Sequence, residues 1–251
     1  MLRQMLSATI GMDRARAIKR ATLAPLKPLT RSGCSALHRH VLNPINRARH
    51  ARRSHRCLEI GPGAGIYVGH ITGNSTAGFE TVDVFSHRGA TYVADASRRL
   101  PFATATFDLV YASHIIEHVP WYQVDMTLKE WVRVLKPGGR LEVWTPNGLR
   151  IAKAFVEAEE RACADFHADD WWRMNEQRDP CLWAAGRMFS YGDGTGTANH
   201  ENWHRSLFSP RFLRSAFAAA GLADIREMDR AEVRTHDHGW INLGVCGMKP
   251  S

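Results

Sequence analysis

Cysteine is sparse in this chain. The five cysteines, at positions 34, 57, 163, 181 and 246, are scattered, odd in number and never spaced C-x-x-C. That pattern excludes a disulfide framework and a thiolate zinc site, and favours a reducing compartment. No run of about 18 apolar residues occurs, so no segment reads as a membrane-spanning helix. Acidic residues are nearly missing from the start. Residues 1–56 hold 13 Lys and Arg against one acid, Asp13, a net of +12; residues 57–251 hold 20 Lys and Arg against 24 Asp and Glu, a net of −4. The overall charge of +8 therefore belongs to the N-terminal segment. That segment also holds no Phe, Trp or Tyr. Single-stranded nucleic acid is bound by stacking bases on such rings, so no stable nucleic-acid partner is expected.

Apolar residues are interspersed among the arginines of this segment: Met5, Ile10, Leu23, Leu26, Leu29 and Leu42. Four readings stay open: a solvated tail, a peripheral contact with an anionic membrane, a contact with nucleic acid, and an organelle-targeting leader. On charge alone, residues 1–55 are expected to form a basic extension and residues 56–251 the folded domain.

Glycine, by contrast, is concentrated where it says most. Residues 57–65 read Cys-Leu-Glu-Ile-Gly-Pro-Gly-Ala-Gly. A short apolar strand carrying Glu59 runs into glycines at 61, 63 and 65, a turn whose backbone has no Cβ to hold off a ligand. The last glycine of G-x-G-x-x-G is missing, which weakens a dinucleotide reading. An acid two residues before the first glycine suits a cationic, hydroxyl-bearing ligand better than a pyrophosphate.

Further apolar runs follow, the next two ending in acids: 79–84 with Asp83, and 91–96 with Asp95 followed by Ala96. Runs at 107–112 and 141–145 come after them. Asp83 lies 24 positions after Glu59, near the roughly 20-residue spacing at which an acid meets a ribose in βαβ nucleotide folds. Apolar residues at Val124, Leu128, Trp131, Val132 and Leu135 mark an amphipathic helix between the last two runs. Strands alternating with helices argue a mostly parallel sheet covered on both faces. Pro210 to Ala220 reads as a helix with Ser209 as N-cap and Gly221 as its stop. Ala223–Met228 and Trp240–Met248 read as the last two strands.

The series Leu58-Glu59-Ile60-Gly61-Pro62-Gly63-Ala64-Gly65, Asp83, Asp95, Phe107-Asp108-Leu109-Val110, Glu117-His118-Val119 and Leu135-Lys136-Pro137-Gly138-Gly139 resembles the signature series of class I S-adenosylmethionine (SAM)-dependent methyltransferases. The stretch from His204 to Leu213 is similar to a bacterial branch associated with surface-polysaccharide synthesis. The resemblance implies an α/β, Rossmann-like doubly wound sheet of about seven strands, mostly parallel with an antiparallel edge strand, plus a helical insertion at 148–203.

It also implies SAM as cofactor, held by Glu59, Gly61, Gly63, Gly65, Asp83, Asp95, Ala96 and Ser113. Glu59 would face the methionine amino group, Asp83 the ribose hydroxyls, and Asp95 with Ala96 the adenine. Either of the latter acids has a second reading as a helix N-cap. His114, His204 and Arg205 would line the acceptor side. The acceptor is expected to be a small molecule or a glycan-linked group, methylated on oxygen or nitrogen.

A hydroxyl or ammonium acceptor must also lose a proton. His118 is the candidate base, because histidine titrates near neutral pH; a structural histidine tying its loop to backbone is the competing reading. His200-Glu201-Asn202-Trp203-His204 matches H-E-x-x-H, but that zinc chemistry needs both histidines on one helix face. Here the motif follows a polar glycine-rich loop, so it reads as coincidence and no metal is expected. The insertion holds Trp171, Trp172, Trp183, Tyr191 and Trp203, which suit either a sugar-stacking lid or the packing of an added helical layer. The expected location is cytoplasmic, or peripheral at the inner membrane face. The rival functions are a catalytically silent SAM-binding scaffold, an RNA methyltransferase using the basic segment, and a nicotinamide dehydrogenase.

Overall fold

The computed structural model describes residues 31–63, 75–161, 174–192, 194–235 and 237–251. The strands are β1 (Cys57–Ile60), β2 (Glu80–Asp83), β3 (Tyr92–Val93), β4 (Phe107–Ser113), β5 (Leu135–Pro146), β6 (Ala223–Met228) and β7 (Asn242–Met248). They form one sheet in the order β3-β2-β1-β4-β5-β7-β6. β1 to β5 pair in parallel, and β7 runs antiparallel to both β5 and β6. The reversed strand is thus next to the edge, with β6 outside it. The chain order turns back between β1 and β4, the switch point where open α/β sheets bind ligands at their carboxyl ends.

β4 shows why the sheet is central. Val110, Tyr111 and Ala112 are all fully buried, the continuous burial of a strand covered on both faces. One face packs on helix Val124–Val134 through Leu128 and Trp131, and on helix Pro210–Ala219 through Leu213 and Phe217. The second of these helices starts at Ser209, whose side chain accepts from the Phe212 amide, and it stops before Gly221 at φ 91°. Both termini follow ordinary capping chemistry.

The boundary expected from charge needs correction. Residues 31–50 are helical: Arg31–Leu37, a π-type turn at His38–Leu42, and Asn43–His50. Pro44 has no N–H to continue an α-helical ladder, and the Asn43 amide reaches back to the His38 carbonyl, widening the helix there. This segment packs along β3. Asn43 donates to and accepts from the Val93 backbone at 3.0 Å each. Asn46 and His38 both bond the Thr91 carbonyl, at 2.7 and 3.1 Å. His50 reaches the Tyr92 hydroxyl and Glu80. The open edge of β3 is therefore covered by residues that the charge count assigned to an extension. Charge marks where basic side chains are, not which face of a helix is buried.

The insertion contributes helices Gly148–Arg161 and Pro180–Phe189. They pack together around Ile151, Ala184 and a fully buried Trp183, whose ring lies parallel to Trp240 at 6.1 Å. Of the two readings of the aromatic residues, Trp183 takes the packing role. Trp171 and Trp172 lie outside the described residues. No helix among the described residues is long and apolar enough to cross a membrane.

Candidate active site

Every parallel strand from β1 to β5 delivers its carboxyl end to one cleft of about 1060 Å³. β1 delivers Glu59, Gly61 and Gly63; β2 delivers Asp83; the turn after β3 delivers Asp95 and Ala96; β4 delivers Ser113 and His114. The same cleft is also lined by His118, His204 and Arg205. The structure thus brings together all the residues expected from the sequence except Gly65, which lies outside the described residues.

The two described glycines of the turn differ. Gly61 has φ +67° and an added Cβ would collide with the Ile115 side chain, so its space is already taken. Gly63 has φ +68°, and an added Cβ would meet nothing within 4 Å. Its bare backbone borders the open cleft.

Glu59 is 8% exposed. Burial pushes its carboxyl above the usual range, and a hydrogen bond with Thr76 only partly opposes this. A half-compensated buried carboxylate at the mouth of a glycine turn is matched to a cation. Asp83 accepts from the Phe85 amide at 3.3 Å and has His87 Nε2 at 3.2 Å from its other oxygen. Asp95 accepts from the Ser97 amide and hydroxyl, at 2.9 and 2.6 Å, and meets Arg98. No helix follows directly on Asp95, so it is not the N-cap of the alternative reading; it closes a local turn and also lines the cleft. The Ala96 carbonyl accepts from Trp131 Nε1 at 3.0 Å, which fixes that loop to the helix behind it.

The loop after β4 is held by Glu117, which is 1% exposed. Its Oε1 meets His114 Nδ1 at 3.1 Å and its Oε2 accepts from Thr145 at 3.2 Å. Its carbonyl accepts from the amides of Arg205 and Ser206. Burial alone would raise the Glu117 carboxyl, but the His114 bond and the nearby His118 and His204 hold it down at about 2. His114 was expected to face the acceptor. It has φ 55°, its other nitrogen meets Asn242 Oδ1 at 3.0 Å, and its ring lies 3.8 Å from that of His238. Both nitrogens of His114 are therefore committed to protein oxygens, and it positions Glu117.

His118 donates Nδ1–H to the Trp203 carbonyl at 3.3 Å, leaving the Nε2 lone pair as its basic site. Its ring meets His204 edge-on at 5.0 Å. Burial lowers the pKa of His204, with the Glu117 charge opposing. Residues 200–204 form turns rather than a helix, so the H-E-x-x-H geometry is not built. The supports that the sequence did not reveal are Thr76, His87, Thr145 and Asn242. None sits in a motif, and each acts across a long sequence separation or a turn.

Residues 34–227 match the methyltransferase-domain family, and the chain belongs to it. It is 29% identical over 123 residues to sterol 4-C-methyltransferase strm-1 of Caenorhabditis elegans, a match covering 43% of this chain and 35% of the relative. The chain thus spans about a third of that relative's length. Among solved structures it is similar to a SAM-dependent methyltransferase from Thermotoga maritima, with 16% identity, coverage of 82% and 87% of the two chains, and a TM-score of 0.45. It is also similar to the 1,6-didemethyltoxoflavin N1-methyltransferase of Burkholderia thailandensis, with 14% identity, coverage of 99% and 90%, and a TM-score of 0.41.

Proposed function

We propose that this chain binds SAM along the β1–β3 side of the cleft and methylates an oxygen or nitrogen of a polar acceptor, a small molecule or glycan-linked group, on the His118 side. The observation that carries the reading is the sequence of carboxylates along one wall: Glu59, Asp83 and Asp95 stand in that order at successive strand ends, with the bare backbone of Gly63 beside the first. They match an ammonium, a ribose diol and an exocyclic amine, three donor groups that a carboxylate accepts. Ala96 and Ser113 complete the wall. When bound, SAM supplies a methyl group already activated on a sulfonium. The residues then have to align the acceptor and take its proton, and alignment supplies much of the rate.

His118 Nε2 would take the proton; the bond from Nδ1–H to the Trp203 carbonyl supports this role by leaving Nε2 as the acceptor nitrogen. His204 and Arg205 line the cleft together with Tyr122, Gln123 and Asn202, among apolar neighbours such as Val119 and Pro120. The polar side chains suit a hydroxylated or anionic acceptor better than a sterol, the acceptor in the relative's name. Arg205 suits a carboxylate or phosphate on that acceptor.

Titration calorimetry with SAM, S-adenosylhomocysteine and NAD, followed by methyl transfer from labelled SAM to a panel of sugars, nucleotide sugars and amines, tests this. SAM binding in preference to NAD, with turnover on a polar acceptor, is the expected result. Tight SAM binding with no turnover on any acceptor would favour a silent scaffold, and NAD binding would sink the reading.

The helical segment along β3 carries a second proposal. Leu37, Val41 and Ile45, four residues apart, are 52%, 45% and 56% exposed, and Arg39 and Arg49 lie on the same exposed segment. This apolar stripe with basic neighbours fits the headgroup region of an anionic membrane, where each basic side chain contributes about 1 kcal/mol. Sedimentation with phosphatidylserine vesicles at low salt should capture the protein. Replacing the three apolar residues by serine should release it, and equal binding to neutral vesicles would count against it.

A further inference from the structure

We infer that Glu117, His118 and His204 form a binding site for one divalent first-row transition ion, which presents its open positions to the acceptor side of the cleft. The inference rests on the methyl-transfer reading for its purpose but not for its geometry. One ligand atom from each residue lies within 4.8 Å of the other two. Ligands about 2.0–2.2 Å from a zinc-sized ion stand roughly 3.3–3.5 Å apart, so small side-chain rotations close the set.

The surroundings are those of a metal site. Ligating histidines ordinarily donate their second N–H to a carbonyl or carboxylate, which sets the tautomer. Here His118 donates Nδ1–H to the Trp203 carbonyl at 3.3 Å. Its ring therefore has one nitrogen anchored on backbone and the other turned toward His204, whose ring it meets edge-on at 5.0 Å. Glu117 is oriented in the same way, with His114 on one oxygen and Thr145 on the other. His114 is itself fixed by Asn242, whose amide nitrogen bonds Asp237. An outer layer thus supports Glu117 and His118.

The donor set decides the ion class. Two imidazoles and one carboxylate suit zinc, iron, cobalt or manganese rather than calcium or magnesium, which prefer all-oxygen shells. Three protein ligands leave at least one position open. All three residues line the cleft, so that position faces where the acceptor sits. A +2 ion against one carboxylate keeps a net positive charge, and it favours an acceptor oxygen in its anionic form. The acceptor O–H would lose its proton to solvent on coordination. Its oxygen would then form the bond to the methyl carbon as the carbon–sulfur bond breaks, with the electron pair staying on sulfur. In that state His118 is a ligand, and the metal replaces it as the means of deprotonation. The H-E-x-x-H match thereby contributes one histidine, His204, through tertiary contacts rather than through a helix.

The test uses full-length, tag-free protein stripped by chelator dialysis and titrated with Co²⁺, followed by visible ligand-field absorption and by Zn²⁺ competition. One Co²⁺ per chain with absorption bands that Zn²⁺ abolishes is expected. His204→Ala and His118→Gln should each weaken Co²⁺ by more than the roughly 10- to 100-fold expected of a supporting change such as Thr145→Val. S-adenosylhomocysteine affinity, measured on every variant, should stay unchanged and shows that the fold survives. Two half-buried histidines are used so that one misfolding variant does not decide the outcome. Wild type that binds S-adenosylhomocysteine but no stoichiometric Co²⁺ overturns the metal site and leaves the methyl-transfer reading intact. Co²⁺ binding unaltered in both histidine variants overturns it as well. Co²⁺ binding that follows the variants, in a protein with no affinity for SAM or its product, sustains the site and removes the methyl-transfer reading.

Discussion

Asn43 and Val93 are joined by two hydrogen bonds, amide nitrogen to carbonyl and backbone N–H to amide oxygen, each 3.0 Å long. A side chain thus does for the edge strand β3 what a neighbouring strand would do. Asn43 is 3% exposed and Val93 fully buried, so neither backbone group has water to turn to. Asn43→Ala should destabilise the fold by about 2–3 kcal/mol, two buried bonds lost and two backbone groups left unpaired. Urea denaturation would show this as a lower midpoint at constant slope. The same contact implies that deleting residues 1–50 yields a protein that unfolds or aggregates, rather than the stable cofactor-binding core expected from charge alone. A deletion product with wild-type melting behaviour would refute it.

The two glycines of the turn should fail in different ways. Gly61→Ala forces a Cβ against Ile115 and adds the roughly 1–2 kcal/mol cost of a left-handed non-glycine residue. Its main effect is a lower melting temperature. Gly63→Val carries the same backbone strain, but its side chain enters the cleft. It should retain most of its fold and lose SAM binding. Calorimetry and thermal melts on the pair separate the two outcomes, and normal SAM affinity in Gly63→Val would place the cofactor elsewhere.

Glu59 is expected to trade stability for binding. Burial raises its carboxyl from 4.5. The folded state therefore holds the proton more tightly than the unfolded chain, and the fold loses stability as pH rises from about 4.5 through the raised value. Above that window Glu59→Gln should melt higher than wild type while binding SAM far more weakly. SAM binding requires the ionised form, so calorimetry near the raised pKa should also detect proton release. A variant that is both less stable and fully able to bind would contradict the assignment.

Asp83→Ala removes a charged acceptor for a ribose diol. Bonds to charged groups are worth roughly 1.5–3 kcal/mol, so SAM affinity should fall about 10- to 150-fold. Unchanged affinity would mean that Asp83 only holds His87, 3.2 Å away.

Glu80 should make the fold acid-sensitive. It is 1% exposed and takes two bonds from Arg56, at 2.7 and 2.9 Å, and one from Tyr92 at 2.6 Å. Burial would raise its carboxyl, but these bonds prevail and lower it below 4.5. Its contribution is therefore complete above about pH 4.5 and disappears as pH falls through the lowered value. Glu80→Gln should cost about 3–5 kcal/mol at neutral pH, because it leaves Arg56 buried without its anion. It should also flatten the acid limb of the stability–pH curve.

The sequence alone determined what is periodic or local. The strands around Glu59, Asp83 and Asp95, the amphipathic helix at 124–134 and the Ser209-capped helix are each specified within a dozen residues, by alternation, helical spacing or capping. The carboxylates lining the cleft were legible for the same reason, since each strand end follows directly from its own apolar run. What depends on separation was decided only by the tertiary structure. Asn43 covers Val93 from 50 positions away, and His118 finds its carbonyl at Trp203, 85 positions away. His204 meets Glu117 only because the chain returns after the insertion to bond the β4 loop at Arg205 and Ser206. Hydrogen bonds and ligand sets have no period for a sequence to display. They form where packing of the apolar faces carries polar groups into the same small volume.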